Sequence, residues 1–206
     1  MIIDPPNIAH RTRRLCALLS VFAGLLSLEE LNLGDSNCAG NLASLATCVE
    51  LKRLNLRWTK SFGDIKALIS LPALERLDLT GVVKVHLIRN AIHPSSQPFN
   101  RPTDRPTDRP TDPPQIKGSI EVLGFIESLE EIRLQQTSVE GDVWCFETLS
   151  SLTTVDVSRT ALEGSIQVFE NAPGLTHLSC VDTAIDVDSL GSLKKVLKNC
   201  DIKVSN

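Results

Sequence analysis

A leucine recurs at a fixed interval along this chain and begins a similar stretch of sequence each time. The recurring residues are Leu28, Leu51, Leu74, Leu129, Leu152 and Leu175. Four of the five steps between them are 23 residues long, and the step from Leu74 to Leu129 is 55. A fixed period of roughly 20–50 residues is typical of a solenoid, in which each turn buries its apolar side against its neighbours. The sequence therefore predicts a stack of six turns.

Within each turn, short patterns predict a strand and a helical segment. Positions 3 and 5, counted from the leading leucine as position 0, are apolar and alternate with polar residues, as Leu54 and Leu56 do around Asn55. Such alternation indicates a strand with one buried face, and stacked turns align these strands in a parallel sheet. Apolar residues at positions 14, 17 and 20 predict a short helix or 3₁₀ turn on the convex side.

Two further positions carry small residues in most turns. Position 8 is Ser36, Thr59, Val82, Thr137, Thr160 and Thr183, and position 12 is Gly40, Gly63, Gly118, Gly141 and Gly164. We expect the hydroxyl groups to bond to the backbone at a bend and to form a ladder between turns. The glycines indicate a backbone angle that other residues resist, or a close approach to the neighbouring turn.

The two ends of the stack are predicted to be caps. Residues 1–14 are polar, and in the apolar run that follows Leu19 and Phe22 keep the register of the next turn. This register favours a half repeat that caps the first turn, and a signal peptide at residues 11–26 is the alternative. Residues 190–197 predict an amphipathic helix with a lysine-rich exterior as the second cap, and residues 200–204 a last strand.

The period is lost between residues 84 and 115. This segment repeats Arg-Pro-Thr-Asp three times and is predicted to be a disordered insertion. The excess is 55 − 23 = 32 residues, so removing 84–115 restores the period and places Ile116 at position 10. The predicted divisions are 1–14, 15–83, 84–115 and 116–206. We favour passenger sequence over a functional flexible arm, because no P-x-x-P with flanking hydrophobic residues is present.

Residues 51–56 and 74–79 read L-x-x-L-x-L and resemble the signature of the leucine-rich repeat family. The G-[SD]-[IV] segments that begin at Gly118, Gly141 and Gly164 are similar to the plant-type repeat, although Thr or Ser replaces the usual Asn at position 8. The Pro that usually follows G-x-I is also missing. The resemblance implies an α/β solenoid, an arc whose short parallel sheet lies on the concave face and binds partners, usually proteins.

Composition narrows the function and the compartment. A net charge of −4 provides no basic field for nucleic acid or anionic lipid, so neither nucleic acid nor a membrane is an expected partner. The six cysteines form no C-x-x-C pair and several occupy apolar positions, so buried unpaired thiols and a reducing, cytoplasmic compartment are expected. The scattered histidines suit no catalytic or metal cluster, so we expect no enzyme activity, no metal and no cofactor.

The side chains at positions 2, 4 and 6 are expected on the concave face. The predicted ion pairs between neighbouring strands are Glu30–Arg53, Arg76–Glu131 and Asp78–Arg133–Asp156. Arg57 has no acid in its own column and precedes Trp58 on the rim, so these two residues are the predicted anchor, with plain rim packing or a cation–π contact as the alternative. The candidate partner-binding residues are Arg53, Asn55, Arg57, Trp58, Arg76, Asp78, Glu131, Arg133 and Gln135.

Together these patterns predict a monomeric, non-enzymatic module that binds a protein partner on the concave face of a solenoid. The alternative is a ligand-binding fragment of a larger or secreted leucine-rich repeat receptor-like protein.

Excision of residues 84–115 tests the phase of the insertion. We expect the shortened chain to melt at the same temperature as the full chain or higher, because long surface insertions add little to stability. Calorimetry or circular dichroism measures the melting temperature. A large drop would show that the segment packs against the rest.

Overall fold

The computed structural model describes residues 2–3, 18–81 and 115–205. Successive turns stack side by side and form two parallel sheets. The larger sheet contains β1 (Ile2–Ile3), β2 (Glu30–Asn32), β4 (Arg53–Asn55), β6 (Arg76–Asp78), β8 (Glu131–Arg133), β10 (Thr154–Asp156), β12 (His177–Cys180) and β14 (Asp201–Val204), in this spatial order. The predicted strand at positions 2–4 is thus present in all six turns, and the α/β solenoid is confirmed.

Chain regions outside the periodic turns extend this sheet at both ends. Ile2 pairs with Glu30, so the start of the segment predicted to be polar supplies the first strand. Ile202 pairs with Leu178 at the other end, which confirms the predicted last strand.

A second sheet, which the sequence patterns did not predict, follows the bend in each turn. Its strands are β3 (Ala39–Asn41), β5 (Lys60–Asp64), β7 (Ile116–Ser119), β9 (Ser138–Asp142), β11 (Ala161–Ser165) and β13 (Ala184–Asp186). These segments include the position-12 glycines, which argue against a strand when a single repeat is considered.

The convex side consists of short helices. The 3₁₀ helices are η1 (Leu19–Phe22), η2 (Leu42–Leu45), η3 (Ile65–Ser70), η4 (Ile120–Phe125), η5 (Val143–Thr148) and η6 (Ile166–Asn171), and one α-helix, α1 (Leu190–Val196), follows them. Leu19 and Phe22 of η1 are buried, and so are Leu193 and Leu197 at the α1 end. The predicted helical caps are confirmed, and Leu19 and Phe22 belong to the core as the half-repeat interpretation requires.

The core is one continuous stack of apolar side chains. Every residue at positions 3 and 5 is buried, and equivalent residues lie in register, with Leu31 beside Leu54 and Leu77 beside Ile132. Since each leucine is covered by the turns before and after it, the stack depends on a constant repeat length.

Two structural features, the backbone angle and the space available to a side chain, require glycine at position 12. Their φ angles lie between 102° and 136°, a region that side-chain-bearing residues avoid. At Gly63, Gly118 and Gly164 a Cβ atom would also collide with the side chain at position 13 of the preceding turn, for example with the Asp64 carboxylate beside Gly118. That side chain caps a 3₁₀ helix, since Asp64 Oδ1 accepts a hydrogen bond from the amide of Lys66 at 2.9 Å.

The position-8 hydroxyls bond within their own turn, so the predicted ladder between turns is wrong. Thr137 Oγ1 donates to the carbonyl of Leu134 at 2.8 Å, and Thr160 Oγ1 donates to the carbonyl of Val157 at 2.6 Å. The cause is a left-handed residue at position 7 in every turn, which folds the chain back towards that carbonyl. These residues are Asp35, Trp58, Gly81, Gln136, Arg159 and Asp182, with φ between 52° and 66°.

The predicted insertion lies outside the described residues except for Gln115. On either side of it the third turn follows the common pattern. The amide of Gly81 donates to the carbonyl of Gln135 at 2.8 Å, and the carbonyl of Gln115 accepts from the amide of Gly63 at 3.1 Å. Ile116 is fully buried and Gly118 has a φ of 119°, as their positions 10 and 12 require.

The coupling between glycine and cap predicts opposite effects for two glycine substitutions. Gly118→Ala should lower the free energy of unfolding by about 1–3 kcal/mol, because it strains φ and displaces the Asp64 cap. Gly191→Ala, in α1 with open space around its Cα, should raise it by about 0.5–1 kcal/mol. Urea unfolding measures both. In an Asp64→Ala background the Gly118→Ala effect should shrink, and an unchanged effect would leave backbone strain as the sole cause.

Candidate functional site

A shallow groove of about 260 Å³ crosses the concave face of the larger sheet. Its lining residues come from β2, β4, β6 and β8. Six of the nine predicted binding residues line it: Arg53, Asn55, Arg76, Asp78, Glu131 and Arg133. Arg57, Trp58 and Gln135 lie outside the lining. The structure thus brings most of the predicted set together on three adjacent strands, β4, β6 and β8.

Two of the predicted ion pairs are present in the groove. Arg53 Nη1 lies 2.5 Å from Glu30 Oε1, and Arg76 Nη1 lies 3.4 Å from Glu131 Oε1. The arginine side chains are 47% exposed. Pairs this accessible stabilise the fold by no more than about 1 kcal/mol each, so the arginine head groups are accessible to a ligand at little structural cost.

The predicted chain of charges Asp78–Arg133–Asp156 is not formed. Arg133 Nη2 instead lies 3.7 Å from Glu131 Oε2. Both aspartates bond to backbone in their own turn, since Asp78 accepts from the amide of Thr80 at 3.0 Å and Asp156 from the amide of Ser158 at 3.1 Å. The short side chain of an aspartate at the end of these strands reaches the amide two residues ahead. It would reach an arginine of the next strand only if that flexible side chain bent towards it.

The same backbone bond identifies the role of position 4 in other turns. Asn32 accepts from the amide of Gly34 at 3.2 Å, and Asn55 accepts from the amide of Arg57 at 3.0 Å. Asn55, Asp78 and Asp156 therefore shape the end of each strand as it enters the left-handed bend. The amide side chain of Gln135 donates to the carboxylate of Asp156, so Gln135 links the fourth turn to the fifth.

The predicted anchor lies on the rim of the groove. Arg57 is exposed and has no ion pair within 4 Å among the described residues. Trp58 is 40% exposed and has a φ of 52°, an uncommon angle for a bulky residue. Its ring lies next to Gly81, where an added Cβ atom would be 2.5 Å from Trp58 Cε3.

The concave face changes character beyond β8. Thr154, Asp156, Ser158 and Ser179 are all buried, and Ser158 Oγ lies 2.8 Å from Ser179 Oγ. Short polar side chains here bond to one another, whereas long charged side chains project from β4, β6 and β8. Exposed charges return only at the last strand, β14, where Lys203 Nζ lies 3.3 Å from Asp201 Oδ2.

The cysteines are apolar core residues in the described part of the chain. Cys38, Cys48, Cys145 and Cys180 are buried and Cys200 is half-buried, and the last four of these five are free thiols. Burial raises the pKa of both Cys145 and Cys180 to about 12, because desolvation disfavours the thiolate. The predicted burial of Cys38 and Cys48 is confirmed, and Cys16 lies outside the described residues.

The described residues contain no group of three or more His, Cys, Asp or Glu side chains arranged to hold a metal ion. No helix in that part of the chain has the length and apolar character to cross a membrane.

Comparison with known proteins identifies the class of fold. No protein-family model and no curated protein sequence matches the chain. Among solved structures, the leucine-rich repeat ectodomain of the Arabidopsis thaliana receptor kinase GASSHO1/SCHENGEN3 is similar with a TM-score of 0.64 at 19% identity, over 90% of this chain and 19% of that one. Internalin C2 from Listeria monocytogenes gives 0.57 at 16% identity, over 92% and 69%.

A third match is the Arabidopsis receptor kinase HAESA in complex with the peptide hormone IDA, with a TM-score of 0.62 at 16% identity over 91% of this chain and 27% of that one. The chain is a leucine-rich repeat solenoid, and the resemblance inferred from its sequence is confirmed for the fold. It spans about a fifth to a quarter of the two receptor ectodomains.

The division between structural and accessible residues predicts different stability effects. Asp78→Ala should lower the free energy of unfolding by about 1 kcal/mol, because the amide of Thr80 loses its partner. Asp78→Asn should keep the stability, as Asn32 and Asn55 make the same bond in their turns. Arg133→Ala should change it by no more than about 0.5 kcal/mol. Chemical unfolding measures all three, and equal losses for Arg133→Ala and Asp78→Ala would contradict the division.

Proposed function

We propose that the chain is a non-enzymatic module that binds a protein partner in the concave groove. The observation that carries the proposal is the set of long, half-exposed arginine side chains over β4, β6 and β8, beside an exposed tryptophan on the rim. Arginine and tryptophan supply much of the binding energy at protein interfaces. Curved solenoids also present an extended surface that suits an elongated partner.

The solved structures support the same conclusion by analogy of fold. Two of the receptor ectodomains that this chain resembles are in complex with protein or peptide ligands, CASPARIAN STRIP INTEGRITY FACTOR 2 and the hormone IDA. Similarity of fold does not show which ligand a protein binds, so the partner of this chain is inferred from the residues of its own groove.

The contacts divide the nine candidate residues into two groups. Arg53, Arg57, Trp58, Arg76, Glu131 and Arg133 have accessible side chains and are proposed to contact the partner. Asn55, Asp78 and Gln135 are proposed to act indirectly, by holding the strand ends that position the first group.

A second candidate function is a ligand-binding fragment of a larger or secreted receptor-like protein. The small share of each receptor ectodomain that the chain spans supports it. The free, buried thiols of Cys48, Cys145 and Cys180 instead support the cytoplasmic module. N-terminal sequencing of the mature protein separates the two, since cleavage within residues 11–26 is expected only for the secreted form.

Loss of the rim anchor should reduce partner capture. The Arg57→Ala/Trp58→Ala variant is expected to bind a partner captured from source-cell extract at least about tenfold more weakly. Its melting temperature should stay within about 2 °C of the wild type, since surface changes of this kind cost little stability.

The matched control is Arg159→Ala/Trp144→Ala, which also removes one arginine and one tryptophan. Arg159 lies on the rim and Trp144 on the convex side, and both are exposed. This control should bind normally. Binding in the groove would be contradicted if Arg57→Ala/Trp58→Ala and Arg53→Gln/Arg76→Gln, tested separately, both bind the partner as tightly as the wild type.

A further inference from the structure

Two arginines in the groove stand side by side with no acid between them. Arg53 and Arg76 are register partners on β4 and β6, so their Cα atoms are about 5 Å apart and both side chains project from the concave face. Each side chain is 47% exposed. Like charges at directly opposite positions destabilise a sheet, so this pairing calls for an explanation.

The acids that bind these arginines lie on the outer sides of the pair. Glu30, on β2, holds Arg53 at 2.5 Å. Glu131, on β8, holds Arg76 at 3.4 Å, and Glu130 lies 3.9 Å from the same arginine. Across four strands the row therefore reads acid, arginine, arginine, acid.

Asp78, which also lines the groove, does not neutralise the pair. Asp78 lies two residues after Arg76 on β6, and its carboxylate accepts a bond from the amide of Thr80. It forms no ion pair within 4 Å with either arginine in the described part of the chain.

Both guanidinium groups retain hydrogen-bond donors for a ligand. A guanidinium carries five N–H donors in a fixed plane, and each of these arginines directs some of them at the outer acids. A carboxylate placed between the two would accept from both, and it would replace repulsion between neighbours by attraction.

We infer that the partner presents an acidic side chain that binds between Arg53 and Arg76. The inference rests on the proposed function and names the chemistry of the ligand at its centre. Glu30 on β2 and Glu131 on β8 lie one strand outside the arginine pair, and both repel a further acid. The matching segment of the partner therefore carries a single acidic residue over Arg53 and Arg76 and no acid over β2 or β8. Selectivity of this kind arises from repulsion as much as from attraction.

Peptide selection on the full chain tests this inference. Linear peptides are displayed with their carboxyl ends fused to the carrier, so that the carboxylates they offer come from side chains. Selection on the wild type, with removal of peptides that also bind Arg53→Gln/Arg76→Gln, should enrich peptides that contain Asp or Glu.

The selected peptides are then synthesised with amidated ends and measured by fluorescence anisotropy. Replacing the acidic residue by its amide should weaken binding to the wild type about tenfold, as expected for a hydrogen-bonded charge. Binding to Arg53→Gln/Arg76→Gln should be weaker by a similar factor and should no longer distinguish the acid from the amide. Arg159→Gln, which changes an arginine paired with Asp182 on the rim, is the control and should bind as the wild type does.

The outcomes separate the inference from the proposed function. Peptides that lose affinity for the Arg57/Trp58 variant but bind equally as acid and amide would overturn the inference and leave groove binding intact. Both would be overturned if no peptide survives removal against Arg53→Gln/Arg76→Gln and if peptides selected without that removal bind Arg57→Ala/Trp58→Ala as tightly as the wild type. A matching melting temperature of each variant shows that the comparison is between folded proteins.

Discussion

The turn-to-turn hydrogen bonds of the larger sheet are the constraint on which the rest of this molecule depends. The amide of Leu33 donates to the carbonyl of Asn55, Leu56 donates to Asp78, and Leu134 donates to Asp156, each at 2.8 Å. A single turn cannot satisfy its own backbone, so each turn is stable only beside another of matching phase. The leucines follow this register, since equivalent side chains stack where equivalent amides and carbonyls meet.

The position of the inserted residues is consistent with this constraint. The chain leaves the described structure after Gly81, when the larger sheet has already formed its bonds to the fourth turn, and returns at Gln115, where the second sheet begins. In the third turn the amide of Leu79 donates to the carbonyl of Arg133 across a sequence distance increased by the insertion. Such extra length adds only loop-closure entropy, because the ladder on both sides keeps its phase.

The periodic features could be predicted from sequence because they repeat at every turn. The buried leucines, the convex helices and the outward positions 2, 4 and 6 each recur at a fixed place, and a pattern of recurrence is what a sequence displays. The glycine at position 12 is predicted to have an uncommon backbone angle or to approach the neighbouring turn closely, and the structure shows both, but the sequence does not identify the group that it approaches. The atom it makes room for, such as the Asp64 carboxylate beside Gly118, belongs to the preceding turn. The second sheet was missed for a related reason, since a glycine argues against a strand until its neighbours are known.

Within the site, sequence reasoning predicted two of the ion pairs correctly and missed the partners of the short acidic side chains. Reading across strands correctly joined Glu30 to Arg53, because both are long side chains on a shared face. The same reasoning failed for Asp78 and Asp156, whose short side chains reach the amide two residues ahead before they reach the next strand. Glu30 and Glu131 therefore pair with arginines of a neighbouring strand, whereas Asp78 and Asp156 accept from amides of their own turn.

The left-handed residue at position 7 links the rim anchor to the turn that carries the insertion. Asp, Gln, Arg and Gly occupy this position in other turns, so residue type alone did not reveal its conformation, and Trp58 is among the least suited to it. The ring of Trp58 nevertheless lies on Gly81, the same position of the next turn, and any side chain at Gly81 would occupy the space of the ring. The orientation of the exposed indole therefore depends on a residue that contributes no side chain to the groove, at the point where the third turn departs from the repeat.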